Sequence, residues 1–175
     1  MLAIITTTGY STVDYAYWPF FAQGILFVLM FVGGCAGSTG GGMKVIRMLV
    51  LVKQSVREVR KFVHPKAVIS TKIDKDAIDP EIVTNILGFF FLFMLILAFF
   101  GILLTLMGVD IVTAFTSVLA CLANIGPGLG GVGPSMNYAD IPFFGKISLS
   151  FCMLLGRLEI YTVLVLFSRT YWRNK

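Results

Sequence analysis

Residues 86–107 contain no charged side chain. No other feature limits the fold as strongly, because the run exceeds the ~20 apolar residues that carry a helix across a bilayer core. Two further stretches fit the same reading. Residues 141–168 are apolar apart from Lys146, Arg157 and Glu159, and read as one long helix from Pro142 onward; residues 19–32 are almost wholly apolar. The chain is 57% hydrophobic and 13% charged, whereas a soluble domain is about a quarter charged. A soluble core helix is the alternative, but runs this long do not fit inside so small a domain.

The charge distribution sets an orientation and excludes a class. Net charge is +5. Nine of the fourteen Lys and Arg residues lie between Lys44 and Lys75, and Arg169, Arg173 and Lys175 end the chain. Residues 10–23 and 126–144 hold Asp14 and Asp140 but no basic residue. By the positive-inside rule the 44–80 connection and the tail face the cytoplasm. Nucleic acid is not expected as a partner, since no base-reading fold accompanies the basic stretch. Cys35, Cys121 and Cys152 are too scattered for a disulfide framework or a zinc site, and His64 stands alone.

The order of elements suggests pore loops. A polar strip, Thr6 to Ser11, precedes a helix opening at Pro19, where proline is tolerated. That helix is broken by the glycine-rich run Gly33 to Gly42 and is expected to resume near Met43. Asp79-Pro80-Glu81 provides a cap and a first-turn acid for the next helix. Asp110 then caps a helix to Ala123, too short to cross, and the strip Asn124 to Gly131 follows it. Irregular backbone at membrane depth is tolerated only inside protein or beside water. Pro19-Phe20-Phe21 followed by Gly33 and Pro142-Phe143-Phe144 followed by Gly156 share one spacing, and each block trails a glycine-containing strip. We read this as an internal repeat. The expected fold is an all-α integral membrane protein of helix–pore helix–filter strand–helix repeats, potassium-channel-like in type. Residues 1–62 end one repeat, 63–79 form a cytoplasmic connector, and 80–175 hold the next repeat and a tail. With five residues ahead of Thr6, the first repeat is expected to lack its short and outer helices. Such a fragment, bringing two filter strands, is not expected to conduct alone.

A potassium filter replaces the hydration shell with backbone carbonyl and threonine oxygens, which calls for glycine at unusual backbone angles. Thr7-Thr8-Gly9-Tyr10 resembles the Thr-Val-Gly-Tyr core of such filters. A phosphate-loop reading of Gly37 to Lys44 fails, because Met43 intrudes and no Ser or Thr follows the lysine. Gly33 and Gly37 as a helix-packing pair is the plain alternative for the break.

The segments TTTGYSTVDY, GGCAGSTGGGMK, HPKAV and NIGPGLG together resemble the third and fourth repeats of Trk-type bacterial potassium uptake proteins, over essentially all of the chain. The resemblance implies four pore-loop repeats around one pathway and potassium uptake across the cytoplasmic membrane without enzymatic chemistry. It implies no covalent cofactor, with K⁺ as the transported ion. It also implies a homodimer in the bilayer and a cytoplasmic nucleotide-binding regulatory subunit as partner. By position it makes Thr7, Thr8, Gly9 and Tyr10 the third filter strand and Asn124, Ile125, Gly126 and Pro127 the fourth. K⁺ would then lie at Thr8, Gly9, Asn124, Ile125 and Gly126. Asn124 and Pro127 depart from the potassium-channel pattern, which bears on how well Na⁺ is rejected. The resemblance also implies a gate of Gly33, Gly34, Gly37, Ser38, Thr39, Gly40, Gly41 and Gly42, with Arg157 at the same depth. A guanidinium near mid-membrane costs on the order of 2.5–3.5 kcal/mol on insertion, so Arg157 is expected to face the pathway. Glu159, about 200° from Arg157 on a continuous helix, and Lys146 are read as snorkelling to the two surfaces. A non-conducting membrane scaffold that only recruits a soluble partner is the alternative from another class.

Overall fold

The computed structural model describes residues 1–175 apart from positions 36, 39, 65–71, 74, 75, 168–171 and 173–175. Thr39, most of the connector and the terminal cations therefore lie outside the described residues. Seven helices carry the fold: α1 Leu2–Ile5, α2 Phe20–Phe31, α3 Val45–Val63, α4 Pro80–Leu106, α5 Ile111–Leu122, α6 Phe143–Arg157 and α7 Ile160–Phe167. Two-residue strands pair in parallel (β1 Val32–Gly33 with β2 Met43–Lys44) and antiparallel (β3 Lys72–Ile73 with β4 Asp76–Ala77).

Among the described residues α4 is the one unbroken helix long and apolar enough to cross a membrane. Its 27 residues rise about 40 Å at ~1.5 Å each. Asp79 caps it by accepting from the Glu81 N–H at 3.2 Å, as its sequence suggests. Asp110 likewise accepts from Val112 N at 3.1 Å and starts α5. With 12 residues, α5 rises only about 18 Å and cannot cross.

The core is built around that short helix. Ala114 and every residue from Thr116 to Leu122 are buried, packed between α4 and α6 with Met30, Met43, Phe93, Leu104 and Cys152. A helix enclosed on all sides must satisfy its hydroxyls internally. Ser117 does so on the Ala114 carbonyl at 2.8 Å, and Thr116 on its own helix and on the strip that follows.

The last helix departs from expectation. The stretch read as continuous from Pro142 breaks after Arg157, and α6 and α7 meet at 109°. Glu159, at the break, has φ +60°, a left-handed conformation that non-glycine residues adopt at a cost. Gly156 stands in the last turn of α6, just before the bend, and the left-handed residue itself, Glu159, is held by tertiary contacts. The helix after the glycine run also begins slightly later than expected, at Val45 rather than Met43, because Met43 and Lys44 pair with Val32 and Gly33.

Candidate functional site

The two strips expected to line a pathway have the same backbone geometry. At the end of α1, Thr6, Thr7 and Thr8 donate their N–H groups to Leu2, Ile4 and Ala3 at 2.9, 3.1 and 3.0 Å. At the end of α5, Ala123, Asn124 and Ile125 donate to Leu119, Cys121 and Ala120 at 2.8, 3.1 and 2.9 Å. Both are Schellman caps, which satisfy orphan carbonyls by turning one residue left-handed. That residue is Thr7 (φ 55°) in one strip and Asn124 (φ 54°) in the other. Two residues on, Gly9 (φ 71°) and Gly126 (φ 105°) are left-handed again, which explains why glycine stands there.

These strips meet. A Cβ on Gly9 would collide with the Ile125 carbonyl oxygen and stand 3.1 Å from the Pro127 ring. Side chains brace the second strip. Tyr138 donates its hydroxyl to the Gly126 carbonyl at 2.5 Å, and Tyr15 donates to the Gly128 carbonyl at 3.1 Å. Thr116 Oγ1 accepts from Leu129 N at 3.1 Å and Thr113 Oγ1 from Gly131 N at 2.9 Å, so the strip returns along the flank of α5. Sequence reasoning missed Thr113 and Thr116; their i, i+3 spacing on an otherwise apolar helix was the available signal. Burial, with the Asp14 charge second, pushes the Tyr15 hydroxyl up to about 12, and burial raises Tyr138 as well. Both donors stay protonated at physiological pH. Thr8 turns its hydroxyl back to the Ala3 carbonyl at 3.3 Å, and Asn124 donates its amide to the Met153 carbonyl at 3.3 Å. Tyr10 is exposed.

The glycine run lies against the starts of both strips. A Cβ on Gly40 would stand 2.9 Å from Thr7 Oγ1, and one on Gly41 would stand 2.7 Å from the Ala123 carbonyl and 2.9 Å from Asn124 Cβ. One on Gly156 would collide with the Leu122 carbonyl and stand 2.7 Å from the Asn124 amide. The loop, both strips and α6 thus converge with no room for side chains. Gly33 faces its own loop, where an added Cβ would stand 2.5 Å from the Gly41 carbonyl oxygen, and Gly37 has open space. That arrangement replaces the helix-packing alternative for the pair.

Beside this junction lies a cavity of about 240 Å³, lined by Ser38, Gly40, Gly42, Gly156, Arg157 and Glu159 among others. Arg157 and the loop therefore line one cavity. The reading of Glu159 as a snorkelling residue is corrected. Its carboxylate lies 3.4 Å from Lys44 Nζ and 2.9 Å from Arg47 Nη2, held there because the helix ends before it. Lys146, at the other end of α6, donates to the Ala139 carbonyl at 2.9 Å.

The fold is that of a membrane transporter of known structure. It matches the crystal structure of the potassium transporter TrkH from Vibrio parahaemolyticus with a TM-score of 0.87 at 43% identity, over 97% of this chain and 36% of that one. The sequence pattern of the TrkH family, described as cation transport protein, matches residues 2–174. The chain belongs to this family. The Trk system potassium uptake protein TrkH of Halomonas elongata is 48% identical over 99% of this chain, and that of Escherichia coli K12 is 44% identical over 99%. The chain spans 36% of the length of each of these relatives.

Proposed function

We propose that the chain forms the third and fourth filter strands of a channel-like potassium uptake subunit in the bacterial cytoplasmic membrane, with the strips outward and the basic α3 and C-terminus cytoplasmic. The observation that carries this reading is the repeated geometry of the strips. Two chain segments with no sequence identity across Thr7-Thr8 and Asn124-Ile125 take up the same cap and the same left-handed pair, and they abut at Gly9 and Ile125. Irregular backbone of this kind at membrane depth serves to present carbonyl oxygens to an ion. K⁺ would sit against carbonyls from Thr8, Gly9, Asn124 and Ile125. Gly126 is a weaker contributor, since Tyr138 already occupies one of its two carbonyl lone pairs.

In this reading the loop from Gly33 to Gly42, with Arg157 beside it, is the gate beneath the filter, and the whole protein works as a dimer under a nucleotide-binding cytoplasmic subunit. Support comes from the close approach of Gly40 and Gly41 to Thr7 and Asn124: an ion leaving the strips meets the loop. The relatives are named as potassium uptake proteins, which supports K⁺ as cargo.

Serine at the two glycines of the full-length protein tests the filter assignment. Gly9→Ser adds both backbone strain and a collision with the Ile125 carbonyl, whereas Gly126→Ser meets no atom within 4 Å and adds strain alone. Gly9→Ser is therefore expected to lower K⁺ affinity and K⁺/Na⁺ preference more than Gly126→Ser, at unchanged membrane expression. Parental uptake kinetics in both variants would remove these residues from the filter.

A further inference from the structure

Glu159 sits where three elements have to be held together. Its backbone is left-handed at a 109° bend three residues past Gly156, a conformation that costs a non-glycine residue energy and persists where contacts hold it. The carboxylate divides its oxygens, Oε1 to Lys44 at 3.4 Å and Oε2 to Arg47 at 2.9 Å. Lys44 is the residue paired with Gly33 in the parallel bridge that closes the loop. Arg47 lies in the first turn of α3, with its guanidinium 4.5 Å above the Phe89 ring of α4. In the first turn of α7, Tyr161 donates to the Asn85 carbonyl of α4 at 3.0 Å. One carboxylate thus joins the loop's exit stalk, α3 and the α6–α7 hinge, on a platform supplied by α4.

We propose that Glu159 is the positioning residue of the loop: it holds the stalk under the strips through Lys44, and its release lets stalk and hinge move as one. This rests on the reading of the loop as the gate. Without the carboxylate between them, Lys44 and Arg47, three residues apart, would hold like charges in a partly enclosed site, a repulsion that bulk water would screen far better. The same loss leaves the left-handed backbone at 159 without its holder. Both effects weaken the hold on the stalk at Lys44.

The test uses the full-length protein in its membrane and a thiol already in place. Cys35 lies in the loop and is exposed, while Cys121 and Cys152 are buried. Its rate of modification by a cationic methanethiosulfonate reagent reads the loop's position directly, with Cys35→Ser as the background control. Glu159→Gln is expected to speed Cys35 modification and to raise K⁺ flux at equal expression, each about tenfold, on the order of what one lost charge-assisted contact does to an opening equilibrium. Glu159→Asp, which keeps the charge, should stay near the parent. Lys44→Gln should reproduce the acceleration if Glu159→Gln does not reach the membrane. A merely structural role would lower expression without this charge dependence. Parental Cys35 rates in both neutral variants, alongside raised flux when the loop is shortened, would overturn the inference and leave the gate standing. Faster Cys35 modification with parental flux, in these variants and in the shortened loop alike, would keep the positioning role and overturn the gate.

Discussion

Replacing Thr116 with valine removes one oxygen from the centre of the fold and leaves its shape in place. The residue is 3% exposed, and its hydroxyl accepts from the Leu129 N–H at 3.1 Å. It has a single proton to give, shared between the Val112 carbonyl at 2.7 Å and the Leu129 carbonyl at 3.0 Å. The Val112 carbonyl already serves the helix ladder and loses little. Leu129, buried at 5%, loses the acceptor for its N–H, and an unsatisfied buried donor costs about 1–3 kcal/mol. No cavity forms, since valine fills the volume. That cost falls on the returning strip, so its detachment from α5 should become about 5- to 150-fold more frequent, at ~1.4 kcal/mol per factor of ten. We expect Thr116→Val in the full-length protein to lower the melting temperature in detergent and weaken K⁺/Na⁺ discrimination in vesicle uptake. Thr116→Ser, which keeps the oxygen and loses only a methyl, should retain discrimination and lose about 1 kcal/mol of stability. Equal discrimination in the valine and serine variants would refute the claim that this hydroxyl holds the strip.

Two further predictions concern the pathway and its orientation. Single cysteines at Asn137, Lys66 and Asn174 should react from outside, inside and inside respectively; reaction of all three from one face would sink the pore-loop layout. Arg157→Ala and a shortened loop should each raise K⁺ flux in the full-length protein, and their combination should add little because both disable one barrier. Parental conduction in both single variants would return the glycines to a packing role.

What was legible in the chain followed local chemistry. Asp79 and Asp110 announce their helices because a cap is a contact over two or three residues. The strips are visible because left-handed backbone draws glycine and asparagine to Gly9, Gly126 and Asn124. Thr7 was legible only through its neighbours, since a β-branched residue is a poor choice for the conformation it holds. The α6–α7 bend was legible only as Gly156, set at the repeat spacing of the helix-breaking Gly33. Its support is an ion pair between Arg47 and Glu159, 112 positions apart, and a helix-period reading of 141–168 has no access to such a contact. The same blindness made Glu159 look like a residue reaching for the membrane surface, when it reaches into the protein. Thr113 and Thr116 were overlooked because a hydroxyl in an apolar helix ordinarily satisfies itself on the preceding turn.

The bridge between Val32–Gly33 and Met43–Lys44 makes the glycine run a ring whose entry and exit touch. Neighbouring strands stand about 4.8 Å apart, close to one turn of helix, so the chain leaves the bridge near where an uninterrupted helix would have carried it. The positions of α2 and α3 therefore register little of how many residues the ring holds, although Gly40 and Gly41 pack tightly on the strips. Lengthening it is a matter of chain entropy, about 0.6 kcal/mol per doubling, and shortening it ends only when the two stalks can no longer lie side by side. A change in ring size would thus leave the helices on either side unaltered.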